Sequence, residues 1–230
     1  MVASGANGPT GRQATARAPA EGHTVTAVTR HLEDFPLGDA RLRVAGADVL
    51  DPVAGERAVA GQDAVISALG VPYGRKPVSV YSEGVTRITQ AMTEHGVRRL
   101  VCVSSTVLFG VAAPGRTFFF RKVLEPAIAG TVGRTGYEDM RHMEEIVRDG
   151  DLRWTVVRLA GLFDTDAASP CRFAVSRLPG RFTSRADPGS ALLREAVGDL
   201  HVRAFVDVRT SQGVPSLLDV IRKEAFGGGK

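Results

Sequence analysis

Glycines near the start of the chain have the spacing of a phosphate-binding turn. They lie between a short apolar run and a stretch of helical character, in the order Gly5, Ala6, Asn7, Gly8, Pro9, Thr10 and Gly11. Glycine lets a backbone turn sharply and approach a pyrophosphate, whose charge is attracted by the amides at the start of the next helix. The pattern therefore predicts a dinucleotide site at Gly5, Asn7, Gly8, Pro9, Thr10 and Gly11. An ordinary glycine turn is the alternative.

An arginine follows the second predicted strand, at the position that distinguishes the two nicotinamide dinucleotides. An NAD site usually has Asp or Glu there for the ribose 2′-hydroxyl, whereas an NADP site has Arg for the 2′-phosphate. Here Thr29 is followed by Arg30 and His31, and no acid occurs before Glu33. Arg12, directly after the last glycine of the turn, adds a second positive charge. We therefore expect NADP(H) as the cofactor; a solvated surface arginine is the alternative for Arg30.

The glycine turn needs a strand before it and a helix after it to hold its position. The pattern of apolar residues predicts both elements. Short apolar or β-branched runs predict strands, several of them continuously apolar, as expected where helices cover both faces of a sheet. These runs are Val2–Ser4, Thr24–Thr29, Leu42–Ala45, Ala64–Leu69, Leu100–Ser104, Trp154–Leu159 and Val202–Val208.

The pattern of apolar residues also predicts helices, most of them between these strands. Apolar residues recur at helical steps from Val78 to Met92, from Met140 to Val147 and from Leu217 to Ile221. Strands that alternate with helices predict parallel βαβ units with right-handed crossovers. We therefore expect a Rossmann-type doubly wound parallel α/β sheet, with helices on both faces, in a single domain over residues 1–230.

Two irregular stretches and a proline interrupt this pattern. Residues 108–136 and 161–189 follow strand ends, where loops over a bound ligand are expected, and we predict that they cap the substrate. The first strand is short, and Pro19 falls where the first helix should continue, so that this helix is expected to end early or kink. Aromatic residues of these stretches either line an apolar pocket or belong to the core. They are Phe118, Phe119, Phe120 and Phe163.

Composition and charge exclude several classes of function. Hydrophobic residues make up 43% and charged residues 23%, as in ordinary globular domains, and no run long enough to span a membrane occurs. Basic residues are spread along the chain despite the net charge of +4, so we expect no nucleic-acid partner. Cys102 and Cys171 lie far apart without a partner motif, and no cluster suggests a metal. We expect a cytoplasmic protein that is a monomer or homodimer.

An ordered set of motifs resembles the atypical short-chain dehydrogenase/reductases, specifically the NAD(P)H-binding group that includes NmrA-like proteins and biliverdin reductase B (flavin reductase). The resemblance covers nearly the whole chain. It rests on Gly5–Arg12, Thr29–Arg30, Gly46–Val49, Ser67–Gly70, Val103–Ser105 and Trp154–Arg158.

The resemblance assigns further cofactor contacts to three strand ends. They are Asp48 and Val49 beside the adenine, Ala68, Leu69 and Gly70 beside the adenine ribose and pyrophosphate, and Ser104 and Ser105 near the nicotinamide. Asp48, Gly70 and Ser105 also lie at or just beyond the carboxyl ends of predicted strands, the edge where such sheets bind ligands. A turn residue at a strand end is the alternative for Asp48. The resemblance further implies a structural ion pair between Glu144 and Arg158.

The catalytic motif of the short-chain dehydrogenases is incomplete. They typically combine Ser with Tyr-x-x-x-Lys, in which the lysine lowers the pKa of the phenol so that it can protonate a carbonyl. Here the corresponding pair is Tyr137 and Arg141, and a guanidinium does not replace an ammonium beneath a ribose. Tyr137 is therefore either an acid or a capping or packing aromatic. Ser105 either orients substrate or bonds to backbone at the strand end.

These residues favour an NADPH-dependent oxidoreductase that transfers hydride to a small aromatic or conjugated acceptor such as a quinone, flavin or enone. Ser105, Tyr137 and Arg141 are its candidate catalytic residues. The resemblance implies that a full Tyr/Lys pair is not essential, because biliverdin reductase B-like members lack it and rely largely on placing an easily reduced substrate over the nicotinamide of the cofactor. A non-catalytic NmrA-like redox sensor acting through a protein partner is one alternative. An epimerase or dehydratase of the sugar-nucleotide type is another, although it normally needs the intact pair.

Overall fold

The structure is a computed structural model that describes residues 1–72, 74, 76–109, 133–163, 165, 169–180 and 182–214. Its strands are β1 (Val2–Ser4), β2 (Val25–Thr29), β3 (Leu42–Gly46), β4 (Ala64–Ser67), β5 (Arg99–Ser105), β6 (Arg153–Leu159), β7 (Gly161–Phe163), β8 (Cys171–Ala174), β9 (Phe182–Ser184) and β10 (Ala204–Thr210). Its helices are α1 (Pro9–Ala20), α2 (Pro52–Val59), α3 (Val80–Glu94), α4 (Arg134–Asp149) and α5 (Pro188–Val197), and residues Thr106–Phe109 form a 3-10 turn. Within the described part of the chain, no helix has both the length and the apolarity needed to cross a lipid bilayer.

An 8-stranded sheet forms the centre of the molecule, in the order β3-β2-β1-β4-β5-β6-β10-β8. The strands from β3 to β10 in this order pair in parallel, and β8 runs antiparallel to β10 at the edge. Strand order reverses beside β1, which lies between β2 and β4. In such sheets the crevice outside the carboxyl ends of the strands at this reversal binds the ligand. The expected doubly wound α/β fold is confirmed, and β1 ends at that crevice.

Helices cover the sheet in two layers. On one face, Val85 and Met92 of α3 and Met143 of α4 pack against strand residues in one buried cluster. On the other face, Ala14 of α1 and Leu192 of α5 are buried against the remaining side of the strands. Because both faces are covered, central strands such as β1 and β4 are buried at every position. This accounts for their continuous apolar runs.

Two strands, β4 and β10, differ from the sequence expectation by two residues at an end, and the other predicted strands differ by at most one. The run predicted to end at Leu69 leaves the sheet after Ser67, and the Ala68 amide donates to the Ser4 carbonyl at 2.9 Å before the chain turns outward. The last strand starts at Ala204 because Arg203 has a left-handed φ of 57° and forms a turn. The predicted helix from Leu217 to Ile221 lies outside the described residues.

The stretch 161–189 is more ordered than its sequence indicates. β7 and β9 pair in parallel as a separate two-stranded sheet, β8 extends the main sheet, and α5 begins at Pro188. Strands of three or four residues are too short to produce a periodic signal, and for this reason the sequence pattern of the stretch is irregular. Most of the predicted loop 108–136, including Phe118, Phe119 and Phe120, lies outside the described residues.

Pro19 and the short first strand are both accommodated. α1 ends at Ala20, one residue after Pro19, so the proline terminates the helix as expected. β1 has only 3 residues, but it pairs on both sides, with Val2 opposite Thr26 of β2 and Val65 of β4. A strand bonded on both sides keeps its position despite its length.

A buried carboxylate on α4 caps the start of α3. Asp139 is 4% exposed, and its Oδ2 accepts hydrogen bonds from the Tyr81 amide at 2.8 Å and the Ser82 amide at 3.4 Å. The Ser82 hydroxyl donates to Oδ1 of the same carboxylate. Amides in the first turn of a helix otherwise lack a partner, so this carboxylate both caps α3 and fastens it to α4.

Asp139→Ala is expected to lower the free energy of unfolding by about 1–3 kcal/mol, because it leaves buried donors unpaired. Urea denaturation measures this loss. Asp149→Ala is the matched control, since Asp149 is exposed at the end of the same helix, and its effect is expected to stay within about 0.5 kcal/mol. Equal losses in the two variants would contradict the capping role.

Cys102 is fully buried in the core, and burial raises the pKa of its thiol to about 12 from an ordinary value of 9.0. Above the ordinary value, the unfolded chain loses this proton while the folded chain retains it. Stability is therefore expected to fall as pH rises from about 9 toward 12. Between pH 8 and pH 10, wild type should lose about 1 kcal/mol more stability than Cys102→Ala. Parallel pH curves for the two proteins in urea denaturation would contradict this expectation.

Candidate cofactor site

The glycine turn lies at the carboxyl end of β1, at the reversal of strand order. Gly5 has a positive φ of 73°, and a Cβ placed on it would lie 2.5 Å from the Ala68 carbonyl oxygen. The Gly8 amide donates to the Gly5 carbonyl at 3.0 Å, and the Ala6 amide donates to the Val28 carbonyl at 3.2 Å. Only glycine meets both requirements at position 5, the left-handed backbone and the close approach of the β4 end.

Gly11 allows α1 to approach the turn. A Cβ on Gly11 would lie 2.2 Å from the Gly5 carbonyl oxygen and 2.9 Å from the Ala6 Cα. A Cβ on Gly8 would meet the Gly5 oxygen at 3.3 Å. The first and last glycines of the motif therefore permit tight packing, and Gly8 keeps the outer side of the turn clear.

The start of α1 has the features of an anion site. Gly8 is its N-cap, Pro9 occupies the first turn, and no side chain of the described residues caps it. Proline at this position has no N–H to satisfy, and the amides of Thr10 and Gly11 follow it at the positive end of the helix. No acidic residue lies in this turn. The residues therefore fit a pyrophosphate, and the helix dipole favours its charge.

Two arginines lie exposed beside the turn. Arg30 follows the end of β2, and Arg12 lies in the first turns of α1, where its amide donates to the Gly8 carbonyl at 2.9 Å. The Oδ1 atom of Asn7 accepts hydrogen bonds from Arg12 Nε at 3.0 Å and Nη2 at 2.7 Å. Within the described residues, neither arginine has a carboxylate partner. Both positive charges therefore remain available at this edge.

Two of the predicted cofactor contacts, Val49 beside the adenine and Leu69 beside the adenine ribose and pyrophosphate, converge on a glycine in α3. A Cβ on Gly84 would lie 2.6 Å from Leu69 Cδ1 and 3.3 Å from Val49 Cγ1. Val49 and Leu69, from different strand ends, thus meet on the same helix. Asp48 makes the local bond of a turn residue, with its Oδ1 accepting from the Leu50 amide at 3.0 Å. Sequence analysis missed Gly84, although a glycine inside an apolar helical stripe is a signal of close packing.

The end of β4 continues this edge. Ala68 is 6% exposed and its backbone contacts both Ser4 and Gly5, while Gly70 is exposed. The structure therefore brings together the glycine turn, Ala68 and Leu69, as the resemblance implies. Their roles in binding stay predictions.

Ser104 and Ser105, at the end of β5, make different contacts. The Ser104 hydroxyl is buried and donates to Glu144 Oε1 at 2.6 Å. Arg158 donates to both Glu144 oxygens, at 2.9 Å from Nε and 2.5 Å from Nη2, so the implied Glu144–Arg158 pair is present. Ser105 Oγ accepts from the Val107 amide at 3.2 Å, which is the backbone bond weighed as the alternative. Ser105 is half-buried and Ser104 faces the ion pair.

Tyr137 lies in the first turn of α4, beside a small cleft of about 20 Å³ that is partly open to solvent. The cleft lies between the segment after β4, the start of α3 and the start of α4, with Val71, Tyr81 and Met140 among its lining residues. Tyr81 supports this wall, since its hydroxyl accepts from the Val71 amide at 3.3 Å. Arg141 is exposed one turn further along α4. Phe163 packs edge-on against Phe182.

A family model described as NAD(P)H-binding matches residues 5–207. The chain belongs to the NAD(P)H-binding family. The match begins at Gly5, the first glycine of the turn and the residue after β1, and it ends within β10. Membership agrees with the family that the sequence motifs resemble.

Curated relatives and solved structures add to this finding. An uncharacterised protein of Mycobacterium tuberculosis (strain ATCC 25618 / H37Rv) is 25% identical over 219 residues, which are 94% of this chain and 21% of that protein. The chain thus spans about a fifth of the length of the curated relatives it matches. A short-chain dehydrogenase/reductase from Veillonella parvula, solved in complex with NADP, has a TM-score of 0.74 and 18% identity over 92% of this chain and 94% of that one. ChuY, an anaerobillin reductase from Escherichia coli O157:H7, has a TM-score of 0.68 and 18% identity, and the match covers 94% of this chain and 98% of ChuY.

Proposed function

We propose that the chain is an NADPH-dependent oxidoreductase that reduces a small aromatic or conjugated acceptor, such as a quinone, flavin or enone. The observation that carries the proposal is the start of α1, which no side chain of the described residues caps. It is held against the glycine turn at the reversal of strand order, and two exposed arginines lie beside it. A shared fold with a reductase and with an NADP complex supports it.

Binding is distributed along the edge of the sheet. The amides of Thr10 and Gly11 bind the pyrophosphate, and Arg12 and Arg30 bind the 2′-phosphate through charge-assisted hydrogen bonds. Asp48 and Val49 contact the adenine, while Gly70 leaves room for the adenine ribose and pyrophosphate to pass. Bound NADPH supplies the hydride.

The protein's own contribution to the reaction is to orient the acceptor and to deliver a proton. Ser105 lies at the end of β5, and Tyr137 lies beside the cleft. At either place a hydroxyl can form a hydrogen bond with an oxygen of the acceptor. Arg141 is exposed, so it does not provide the buried cation that would make Tyr137 a strong acid. Quinones, flavins and enones accept hydride readily and place a modest demand on a general acid. The incomplete motif therefore favours these acceptors over simple carbonyls.

Oxidation of NADPH, followed by its absorbance with a panel of quinones, flavins and enones, tests the proposal. Turnover is expected with at least one acceptor. Tyr137→Phe is expected to slow it by about tenfold, less than the roughly 10²- to 10⁴-fold typical of a general acid, because these acceptors place a modest demand on one. Saturable NADPH binding with no oxidation by any acceptor would contradict the proposed oxidoreductase activity and favour the redox sensor. The exposed Arg141, which stands where the motif has lysine, also favours the sensor.

A further inference from the structure

We propose that Asn7 is a positioning residue for Arg12. Its side chain holds the Arg12 guanidinium in the orientation that binds the 2′-phosphate, and in this way it contributes to the preference for NADPH over NADH. The proposal rests on the NADPH site proposed above. It adds a specificity determinant within the turn itself, at a position where the sequence pattern requires no particular side chain.

The contact between the two side chains fixes one edge of the guanidinium. Asn7 Oδ1 accepts from both Arg12 Nε, at 3.0 Å, and Nη2, at 2.7 Å. A guanidinium has five N–H donors in a rigid plane, so these two bonds set its orientation and leave the Nη1 side for another acceptor. An exposed arginine otherwise loses rotamer freedom when it binds a phosphate, and Asn7 reduces that cost by ordering it beforehand.

Asparagine achieves this without cancelling the charge. Its amide oxygen is neutral, whereas an aspartate in the same place would form an ion pair with Arg12 and compete with the phosphate. The first turn of α1 contains no acid, and the salt bridges of the described residues do not include Arg12. The oriented guanidinium therefore keeps its full positive charge for an anion.

The Asn7–Arg12 pair also lies at the edge of the sheet where Arg30 follows β2. The Ala6 amide donates to the Val28 carbonyl at 3.2 Å, which ties the turn to the end of β2, two residues before Arg30. Asn7 follows Ala6 directly, so the Asn7–Arg12 pair and Arg30 both lie near the carboxyl ends of the adjacent strands β1 and β2. A 2′-phosphate bound there would meet both positive charges.

The side chain of Asn7 is separate from the bonds that shape the turn. Those bonds run from the Gly8 amide to the Gly5 carbonyl and from Ala6 to Val28, and both use backbone atoms only. Removing the Asn7 side chain should therefore leave the pyrophosphate cradle intact. This separation makes the role of Asn7 measurable.

A double-mutant cycle with NADPH and NADH, which differ only in the 2′-phosphate, tests the proposal. Asn7→Ala is expected to raise the Kd for NADPH by about 3- to 10-fold and to leave that for NADH unchanged. In the Arg12→Ala background the same substitution should have no further effect. Asn7→Asp should weaken NADPH binding more than Asn7→Ala, since it neutralises Arg12. Thermal unfolding midpoints show whether each variant is folded.

Three results would overturn the proposal. Equal weakening of NADPH and NADH by Asn7→Ala would show that Asn7 shapes the pyrophosphate turn. Additive effects of Asn7→Ala and Arg12→Ala would show that the two residues act independently, while the proposed NADPH site itself would stand. A wild-type protein that binds NADPH no more tightly than NADH would remove both the NADPH site and the role of Asn7.

Discussion

Gly11→Ala is expected to weaken NADPH binding by at least about 100-fold, equivalent to about 2.7 kcal/mol. The new Cβ would lie 2.2 Å from the Gly5 carbonyl oxygen, a backbone atom that cannot swing away. Either α1 or the turn must move, and the helix amides then no longer face the pyrophosphate. Overpacking of this kind also costs about 1–3 kcal/mol of stability. Fluorescence titration and urea denaturation measure the two effects.

Gly55→Ala is the matched control for this substitution. Gly55 lies in α2, and nothing lies within 4 Å of a Cβ placed on it. An alanine there should bind NADPH as wild type does and add a few tenths of a kcal/mol or more of helix stability. Normal NADPH binding by Gly11→Ala would show that α1 does not hold the pyrophosphate.

Arg30→Glu is expected to raise the Kd for NADPH by about 50- to 100-fold, because it replaces a charge-assisted hydrogen bond by repulsion of the 2′-phosphate. The Kd for NADH should change by no more than about twofold, since its ribose carries a neutral hydroxyl at this place. The preference for NADPH should therefore fall or reverse. Titrations with both dinucleotides at one ionic strength give the ratio directly.

Arg98→Glu makes the same change of net charge at an exposed position directly before β5, at the amino ends of the parallel strands and so at the opposite edge of the sheet. It is expected to alter both dissociation constants by less than about twofold, since exposed charges more than a Debye length apart are screened. Should Arg30→Glu lower the affinity for NADPH and NADH equally, the assignment of the 2′-phosphate to Arg30 would be wrong.

The glycine turn was predictable because its causes are local. Gly5 and Gly11 are required by a turn that seven consecutive residues form, and the strand before it and the helix after it have clear apolar patterns. The parallel sheet with helices on both faces follows from the same alternation of strands and helices. The sequence therefore contains enough information to place the glycine turn, with Arg12 and Arg30 beside it, at the carboxyl end of the first strand.

Features that join distant segments were not predictable. Asp139 caps α3 across a sequence separation of 58 residues, and nothing near it in the sequence distinguishes this carboxylate from a surface acid. Gly84 receives Val49 and Leu69 from two other elements, which only the packed structure shows. β8 has 4 residues and joins the sheet by pairing with β10, far along the chain. Such contacts depend on tertiary packing, which overrides local pattern.

The most direct test is a fluorescence titration of the wild-type protein with NADPH and, separately, with NADH. We expect saturable binding of NADPH, with a dissociation constant at least about tenfold lower than that for NADH, corresponding to about 1.4 kcal/mol from the 2′-phosphate. Such a result would establish that the turn at Gly5–Gly11 and the arginines beside it form an NADPH site. Absence of saturable NADPH binding, or equal affinity for the two dinucleotides, would contradict it.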